Sequence, residues 1–207
     1  MNRDQDTRSF RENIKGMTAL QKLEYFWTYY KWVFVIVIVA VVLIRFGISW
    51  LHDRKIETVL SVAPVNSGLL ESGDAELSIR ETLGLESEYE EVAVIPTLYA
   101  NEETGEFDYY SQMNFLTRTQ TGKLDILLMP ERMAENFSAQ EMLLDLTELL
   151  GKDNYERFGE QEDPHYLVIR DPGPAELFGL LYEPVCIGVP ISATRLDEAK
   201  EWIMNGF

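Results

Sequence analysis

The side chains that most often carry enzymatic chemistry are few and scattered in this sequence of 207 residues. Its two histidines, His52 and His165, lie in distant segments, and Cys186 is the single cysteine. The sequence contains no Gly-x-Ser-x-Gly elbow, no phosphate-binding loop and no His-Glu-x-x-His motif. Because those patterns supply nucleophiles, phosphate cradles and zinc ligands, we expect a protein that is not an enzyme and that has no catalytic residue, cofactor or metal site.

Carboxylates occur in two clusters whose oxygen atoms are of the type that calcium binds. One cluster lies within residues 86–91 and the other within residues 102–108. An EF-hand loop has short oxygen-bearing side chains at alternate positions, and the segment Asn101-Glu-Glu-Thr-Gly-Glu106 lacks that pattern. We therefore expect both clusters to be solvated faces of the protein.

Asp125 and a set of aromatic residues are the candidates for a ligand or partner surface. Asp125 precedes an apolar run and has two roles open to it: a cap or turn partner at the edge of a strand, which is favoured, or a carboxylate presented to a ligand. Ligands of α/β proteins bind in crevices at the carboxyl ends of strands. The aromatic residues that would line such a crevice, or equally well pack in the core, are Tyr99, Tyr109, Tyr110, Tyr182 and Trp202.

The element that dominates the chain is an apolar stretch of twenty residues, 32–51, with a single charge at Arg45. A helix rises about 1.5 Å per residue, so this stretch spans roughly 30 Å, the thickness of the hydrocarbon core of a bilayer. Trp32 and Trp50 stand at opposite ends, where indole rings favour the membrane interface, and Arg45 can extend its charge to the headgroups. The stretch predicts a transmembrane anchor. A buried core strand is the alternative, but the apolar run is longer than such strands usually are.

Residues 1–31 form a short head with a modest excess of positive charge, six basic groups against four acidic ones. Apolar residues at steps of three and four between Leu20 and Tyr30 predict a helix in the membrane interface, or a docking face for a partner's membrane helices. Positive charge favours the cytoplasmic side. We therefore expect a single-pass protein of the plasma membrane, with the head in the cytoplasm and residues 52–207 outside it. Basic residues also follow the apolar stretch, at 52–55, so the opposite orientation is the alternative.

The chain after the apolar stretch is strongly acidic. Residues 56–207 contain nine basic and thirty acidic groups, a net charge of −21. Because nucleic-acid binding needs a basic face to neutralise phosphates, we expect no nucleic-acid partner. The length of this segment suits one ordinary domain with a core of its own.

The order of the predicted elements in this segment indicates an α/β fold. Short β-branched or wholly apolar runs predict strands, and apolar residues at steps of three and four predict helices. Strands and helices alternate in the first part, which favours a sheet with helices on its faces. The predicted strands are residues 56–64, 91–99, 124–129, 166–170, 177–182 and 185–189, the predicted helices are 74–85, 107–121, 131–137, 139–150 and 194–205, and 152–165 is predicted to be a surface loop.

Two stretches of this segment carry a pattern found in a known family. The first stretch begins with Gly122-Lys-Leu-Asp-Ile-Leu-Leu-Met-Pro-Glu131 and, after the predicted helix over residues 131–137, resumes with Leu143-Leu-Asp-Leu-Thr-Glu-Leu-Leu150. The second stretch is Val185-Cys-Ile-Gly-Val-Pro190 with the predicted helix after it. Both resemble segments of the extracellular solute-binding proteins of ABC importers. That family encloses its ligand between two lobes, and residues 56–207 suffice for one. The resemblance therefore implies a single three-layer α/β lobe, held by a transmembrane helix where the family usually has a lipid anchor.

The sequence as a whole predicts a protein of the cell envelope that binds rather than catalyses. Its partners would be the lipid bilayer and, through the lobe, a membrane or envelope protein, as in a transporter-associated module. The alternative is a receptor that binds a small molecule in a crevice at the carboxyl edge of the sheet.

Overall fold

The computed structural model of the chain describes Thr18, Trp27, Trp32, Val33, residues 35–47 and residues 56–207. Two compact units divide the chain, Met1–Lys55 and Ile56–Phe207. Most of the predicted interfacial helix and Trp50 lie outside the described residues.

The first unit contains a helix over residues 35–47. Its large apolar side chains are exposed, and so is Arg45; Ile36 exposes 65% and Phe46 72% of its surface. Within the parts of the chain that the structure describes, no helix is both long enough and apolar enough to cross a membrane. The helical conformation is therefore observed over these thirteen residues, and the spanning role of the whole stretch stays a prediction.

The second unit is an α/β domain, which confirms the α/β part of the predicted fold class. Several helices begin where an aspartate accepts hydrogen bonds from the first backbone N–H groups, as Asp108, Asp145 and Asp171 do. A 3-10 turn, Glu156–Phe158, follows the fifth helix. The strands are β1 (Glu57–Pro64), β2 (Glu90–Val94), β3 (Ile126–Pro130), β4 (Tyr166–Ile169) and β5 (Val185–Gly188), and the helices are α1 (Gly73–Thr82), α2 (Tyr109–Gln120), α3 (Glu131–Ala139), α4 (Leu146–Leu150), α5 (Lys152–Tyr155), α6 (Pro172–Leu177) and α7 (Leu196–Gly206).

The five strands form one mixed sheet in the order β2-β1-β3-β5-β4. β1 is parallel to β2 and to β3, whereas β5 is antiparallel to both β3 and β4. The strands β1, β2, β3 and β4 therefore end at the same side of the sheet, which we call the carboxyl edge. The side where these strands begin is the amino edge.

Helices cover both faces of the sheet, and side chains of successive strand residues enter two different cores. Leu60 and Val62 of β1 belong to one core, with α1, α4 and α7, whereas Ala63 belongs to the other, with α2 and α3. The same alternation separates Ile126 from Leu127 in β3. A strand with both faces buried must be apolar throughout, which explains why β3 has no exposed residue.

Four segments differ from the predicted elements. Residues 177–182 are not a strand, because the helix α6 begins after the cap at Asp171, with Pro172 as its first residue, and ends at Leu177, where a turn follows it. The predicted helix over residues 139–150 is only α4, which begins after the cap at Asp145. β2 ends at Val94 rather than at residue 99, and α5 with the 3-10 turn lies in the predicted loop over residues 152–165.

The single thiol of the chain provides a first prediction. Cys186 lies in β5 with no exposed surface, and burial, aided by Glu131 and Glu135, raises the pKa of its thiol to about 12. Only the thiolate reacts with Ellman's reagent, and it is scarce at pH 8 when the pKa is this high. We expect no reaction in the folded protein and one equivalent of reacted thiol in concentrated urea. Rapid reaction before unfolding would contradict the burial of Cys186.

Candidate functional site

Three loops meet at the carboxyl edge and are joined by hydrogen bonds. The loop after β1 lies between the loop after β2 and the turn after α6. On one side, the side-chain amide of Asn66 exchanges two hydrogen bonds with the backbone of Ala100, at 2.8 and 2.9 Å. On the other side, the Gly68 N–H donates to the Gly179 carbonyl at 2.8 Å. The loops therefore form one connected surface.

Five large apolar side chains are exposed on these loops and on the first turn of α2. We call them the carboxyl-edge surface. The exposed fractions are 100% for Leu70, 85% for Leu181, 83% for Tyr110, 71% for Tyr109 and 50% for Tyr99. The rings of Tyr109 and Tyr110 meet edge to face, with centroids 5.7 Å apart. Exposed apolar side chains on one connected set of loops are candidates for a binding surface.

The cap of α2 holds the three tyrosines together. The Asp108 carboxylate accepts a hydrogen bond from the Ser111 N–H at 2.7 Å, and this bond holds the pKa of Asp108 below its usual range. The Ser111 hydroxyl oxygen in turn accepts from the Tyr99 N–H at 2.8 Å, and the Asp108 N–H donates to the Tyr99 carbonyl at 3.1 Å. Tyr99 is thereby fixed beside the helix turn that carries Tyr109 and Tyr110.

Carboxylates surround the carboxyl-edge surface. Glu71 directly follows Leu70 and Glu183 lies two residues after Leu181, and both glutamates are exposed. A rim of one sign creates a potential that attracts a partner of the opposite sign. Other exposed carboxylates of these loops and of the start of α3 include Glu102, Glu103 and Glu131.

The structure brings together only part of the aromatic set predicted for this edge. Tyr182 is buried, its hydroxyl donates to the Leu128 carbonyl at 3.0 Å, and burial raises its pKa. Trp202 is also buried and packs against Phe178. Sequence reasoning missed Leu70 and Leu181. The available signal was that a glutamate follows each leucine within two residues, Glu71 after Leu70 and Glu183 after Leu181.

Asp125 lies at the amino edge, away from the carboxyl-edge surface, and has no exposed surface. Its carboxylate accepts from the Ser61 N–H at 2.9 Å and from the Thr194 and Arg195 N–H groups at 3.3 Å each. The Arg195 guanidinium donates to the same carboxylate at 3.0 Å. These donors come from β1 and from the segment that leads into α7. Asp125 is therefore the buried acceptor that joins β1 to the segment before α7.

Ser138, Asp163 and His165 contact one another but are not arranged as a catalytic triad. In a triad the serine hydroxyl bonds Nε2 of the histidine while the aspartate bonds Nδ1. Here the Ser138 hydroxyl donates to Asp163 at 2.6 Å, and both residues approach Nδ1 of His165, at 3.3 and 2.7 Å. Burial raises the pKa of Asp163, but the bonds from Ser138 and His165 outweigh it and hold that pKa low. The trio links α3 to the segment before β4.

The acidic clusters show ordinary turn geometry where the structure describes them. Asn101 accepts hydrogen bonds from the Glu103 and Thr104 N–H groups through its side-chain oxygen, at 2.9 and 3.0 Å. Across the described ranges, no group of three or more histidine, cysteine, aspartate or glutamate side chains is placed to hold a metal ion.

Comparisons with known proteins identify no relative. No family model, no curated protein and no solved structure matches the chain. The resemblance to solute-binding proteins therefore rests on the quoted segments alone.

Proposed function

We propose that the chain is a single-pass, membrane-anchored binding module of the cell envelope, whose carboxyl-edge surface engages a membrane or envelope protein. In this proposal residues 32–51 cross the plasma membrane, residues 1–31 lie in the cytoplasm and residues 52–207 lie outside. The observation that carries the proposal is the carboxyl-edge surface: five exposed apolar residues on one connected set of loops.

The anchor is supported by the chemistry of the first unit. Residues 35–47 are helical, and their apolar side chains are exposed rather than packed in a core. Such side chains are stable against lipid and unfavourable against water. In the sequence, the apolar stretch extends beyond this helix on both sides, to Trp32 and to Trp50.

The likeness to one lobe of a solute-binding protein is supported by three features of the second unit. Asp125 precedes the buried strand β3, the short helix α3 follows it directly, and Asp145 caps α4 within the leucine-rich segment. Helices lie on both faces of the sheet. We propose that this lobe interacts with a protein, such as a transporter.

The charge of the domain restricts which partners would bind the carboxyl-edge surface. At a net charge of −21, two copies of residues 56–207 repel each other, which disfavours self-association through this surface. A partner that presents apolar side chains within a basic rim would match both the leucines and the carboxylates.

Photo-crosslinking in the native membrane tests the proposal. Benzoylphenylalanine placed at Tyr110 or at Leu181 is expected to yield an adduct with the same membrane or envelope protein, identified by mass spectrometry. Both positions are exposed, so neither replacement disturbs the core.

Leu77 is the matched control, since it is a leucine of α1 with 55% of its surface exposed and lies outside the carboxyl-edge surface. The probe at Leu77 should not give the adduct. If Tyr110 and Leu181 give no adduct, or if Leu77 gives the same one, the carboxyl edge is not a specific docking surface.

A further inference from the structure

A groove opens between α2 and α3, on the face of the sheet that these two helices cover. Its volume is about 520 Å³, within the range of small-molecule sites. The loop over residues 105–107 forms one wall, and Met142 lies at the far end. The groove is separate from the five residues of the carboxyl-edge surface.

The floor of the groove is a triangle of phenyl rings. Phe107, Phe115 and Phe137 contact one another with centroid distances of 5.2, 5.4 and 5.9 Å. Phe115 and Phe137 are almost entirely buried, and Phe107 is half-buried, so Phe107 and the exposed Leu116 supply the accessible apolar surface. Such a floor suits a flat apolar face of a ligand.

The rim of the groove consists of side-chain amides with hydrogen-bonding capacity to spare. Of the described side chains that line it, Gln112 and Gln140 make no hydrogen bond within the protein, although each amide offers two donors and an acceptor. Asn136 uses only its Nδ2, which donates to the Thr104 carbonyl at 2.7 Å and leaves Oδ1 available.

The wall of the groove is rigid because Gly105 packs directly on α3. Gly105 has a φ of +66°, and a Cβ there would lie 2.9 Å from the Arg132 carbonyl and from Cα of Met133. The turn is closed by the Gly105 N–H, which donates to the Asn101 carbonyl at 2.7 Å. A preformed wall lowers the ordering cost of binding.

The charge of the groove restricts the class of ligand. Glu106 is the one ionisable residue among the described lining residues, and it is exposed. Without a cation the groove has nothing to pair with a phosphate or a carboxylate. A single exposed carboxylate adds little to the binding of a cation. The groove therefore favours a neutral ligand that has both an apolar face and hydroxyl groups.

We propose that the groove between α2 and α3 binds a neutral saccharide, with the C–H face of a sugar ring on Phe107 and Leu116 and the sugar hydroxyls on the amides of Gln112, Asn136 and Gln140. Side-chain amides donate hydrogen bonds to sugar hydroxyls and also accept hydrogen bonds from them. The Glu106 carboxylate accepts hydrogen bonds from two further hydroxyls. This site is independent of the carboxyl-edge surface and of its protein partner.

Calorimetric titration of the full-length protein in lipid nanodiscs tests the proposal, with cellobiose, maltose and N,N′-diacetylchitobiose as the probes. We expect saturable binding of at least one of them. The double variant Gln112→Leu with Gln140→Leu should weaken that binding about 10-fold or more, because two hydrogen-bonding side chains are lost. Gln120→Leu, on the same helix but outside the groove, should leave it unchanged.

Three outcomes would overturn the proposal. The first is that none of the three sugars shows saturable binding at concentrations up to about 10 mM. That concentration is tenfold above a weak dissociation constant of about 1 mM. A second is equal weakening by Gln120→Leu. The third is binding of the blocked tripeptide N-acetyl-trialanine methylamide in place of the sugars, which would assign the groove to an extended peptide.

Discussion

Replacing Asp125 with alanine is expected to destabilise the domain of residues 56–207 by about 3–5 kcal/mol, the usual cost of breaking a buried ion pair. The carboxylate is fully buried, and its loss leaves Arg195 without its partner and the Ser61, Thr194 and Arg195 N–H groups without their acceptor. A domain of this size has only about 5–15 kcal/mol of stability, so the loss would be a large part of it.

Urea unfolding of residues 56–207 measures this effect. Trp202 is the only tryptophan of the segment and is buried, so its fluorescence reports unfolding. With a slope of about 2 kcal/mol per molar urea, the midpoint should fall by roughly 2 M. Asp125→Asn should lower the midpoint by less than Asp125→Ala. Asparagine keeps the shape of the side chain and one acceptor oxygen, but its NH2 group faces donors with which it cannot form a hydrogen bond.

Asp145→Ala is the matched control, because it also removes an aspartate that accepts backbone hydrogen bonds, here a half-buried one at the start of α4. Loss of an ordinary helix cap costs about 1 kcal/mol. If Asp125→Ala destabilises the domain no more than Asp145→Ala, the carboxylate is a simple cap and not the centre of a network.

The double variant Val41→Asp with Val42→Asp is expected to abolish membrane integration of the full chain. Fourteen leucine, isoleucine, phenylalanine and valine residues of the apolar stretch contribute about 0.3–0.6 kcal/mol each to insertion, or roughly 4–8 kcal/mol together. Two aspartates near the centre cost about 5–7 kcal/mol, which cancels that gain. Extraction of membranes with alkaline carbonate should then release the variant, whereas the unmodified protein stays in the pellet.

Two further variants separate charge from sequence change. Val41→Leu with Val42→Leu alters the same positions without charge and should remain in the pellet. Arg45→Leu should remain there as well, because a side chain that only extends its charge to the headgroups is not needed for insertion. Retention of the aspartate variant in the carbonate pellet would mean that residues 32–51 do not anchor the protein.

Much of the α/β pattern could be predicted from the sequence because buried strands and capped helices leave strong local signals. β3 was visible as an apolar run after Asp125, and α7 as an amphipathic segment. The order of the strands was not predictable. β5 inserts between β3 and β4 and runs antiparallel to both, a pairing that depends on contacts between residues far apart in the chain.

The candidate site was only partly predictable, because burial decides the role of an aromatic residue and burial is a tertiary property. Tyr110 and Tyr182 are the same residue type, yet one is exposed and the other is in the core. Leu70 and Leu181 could not be found by a search for polar or aromatic groups. Their segments are joined by the bridge between Ser67 and Leu180, which are remote in sequence.

The burial of Cys186 makes this chain convenient for spectroscopy. Because its one native thiol is enclosed in β5, a cysteine introduced at an exposed position such as Tyr110 or Leu77 would be the sole point of attachment for a dye or a spin label. The native cysteine need not be removed first. Distances between the carboxyl edge and a bound partner could then be measured on an otherwise unaltered protein.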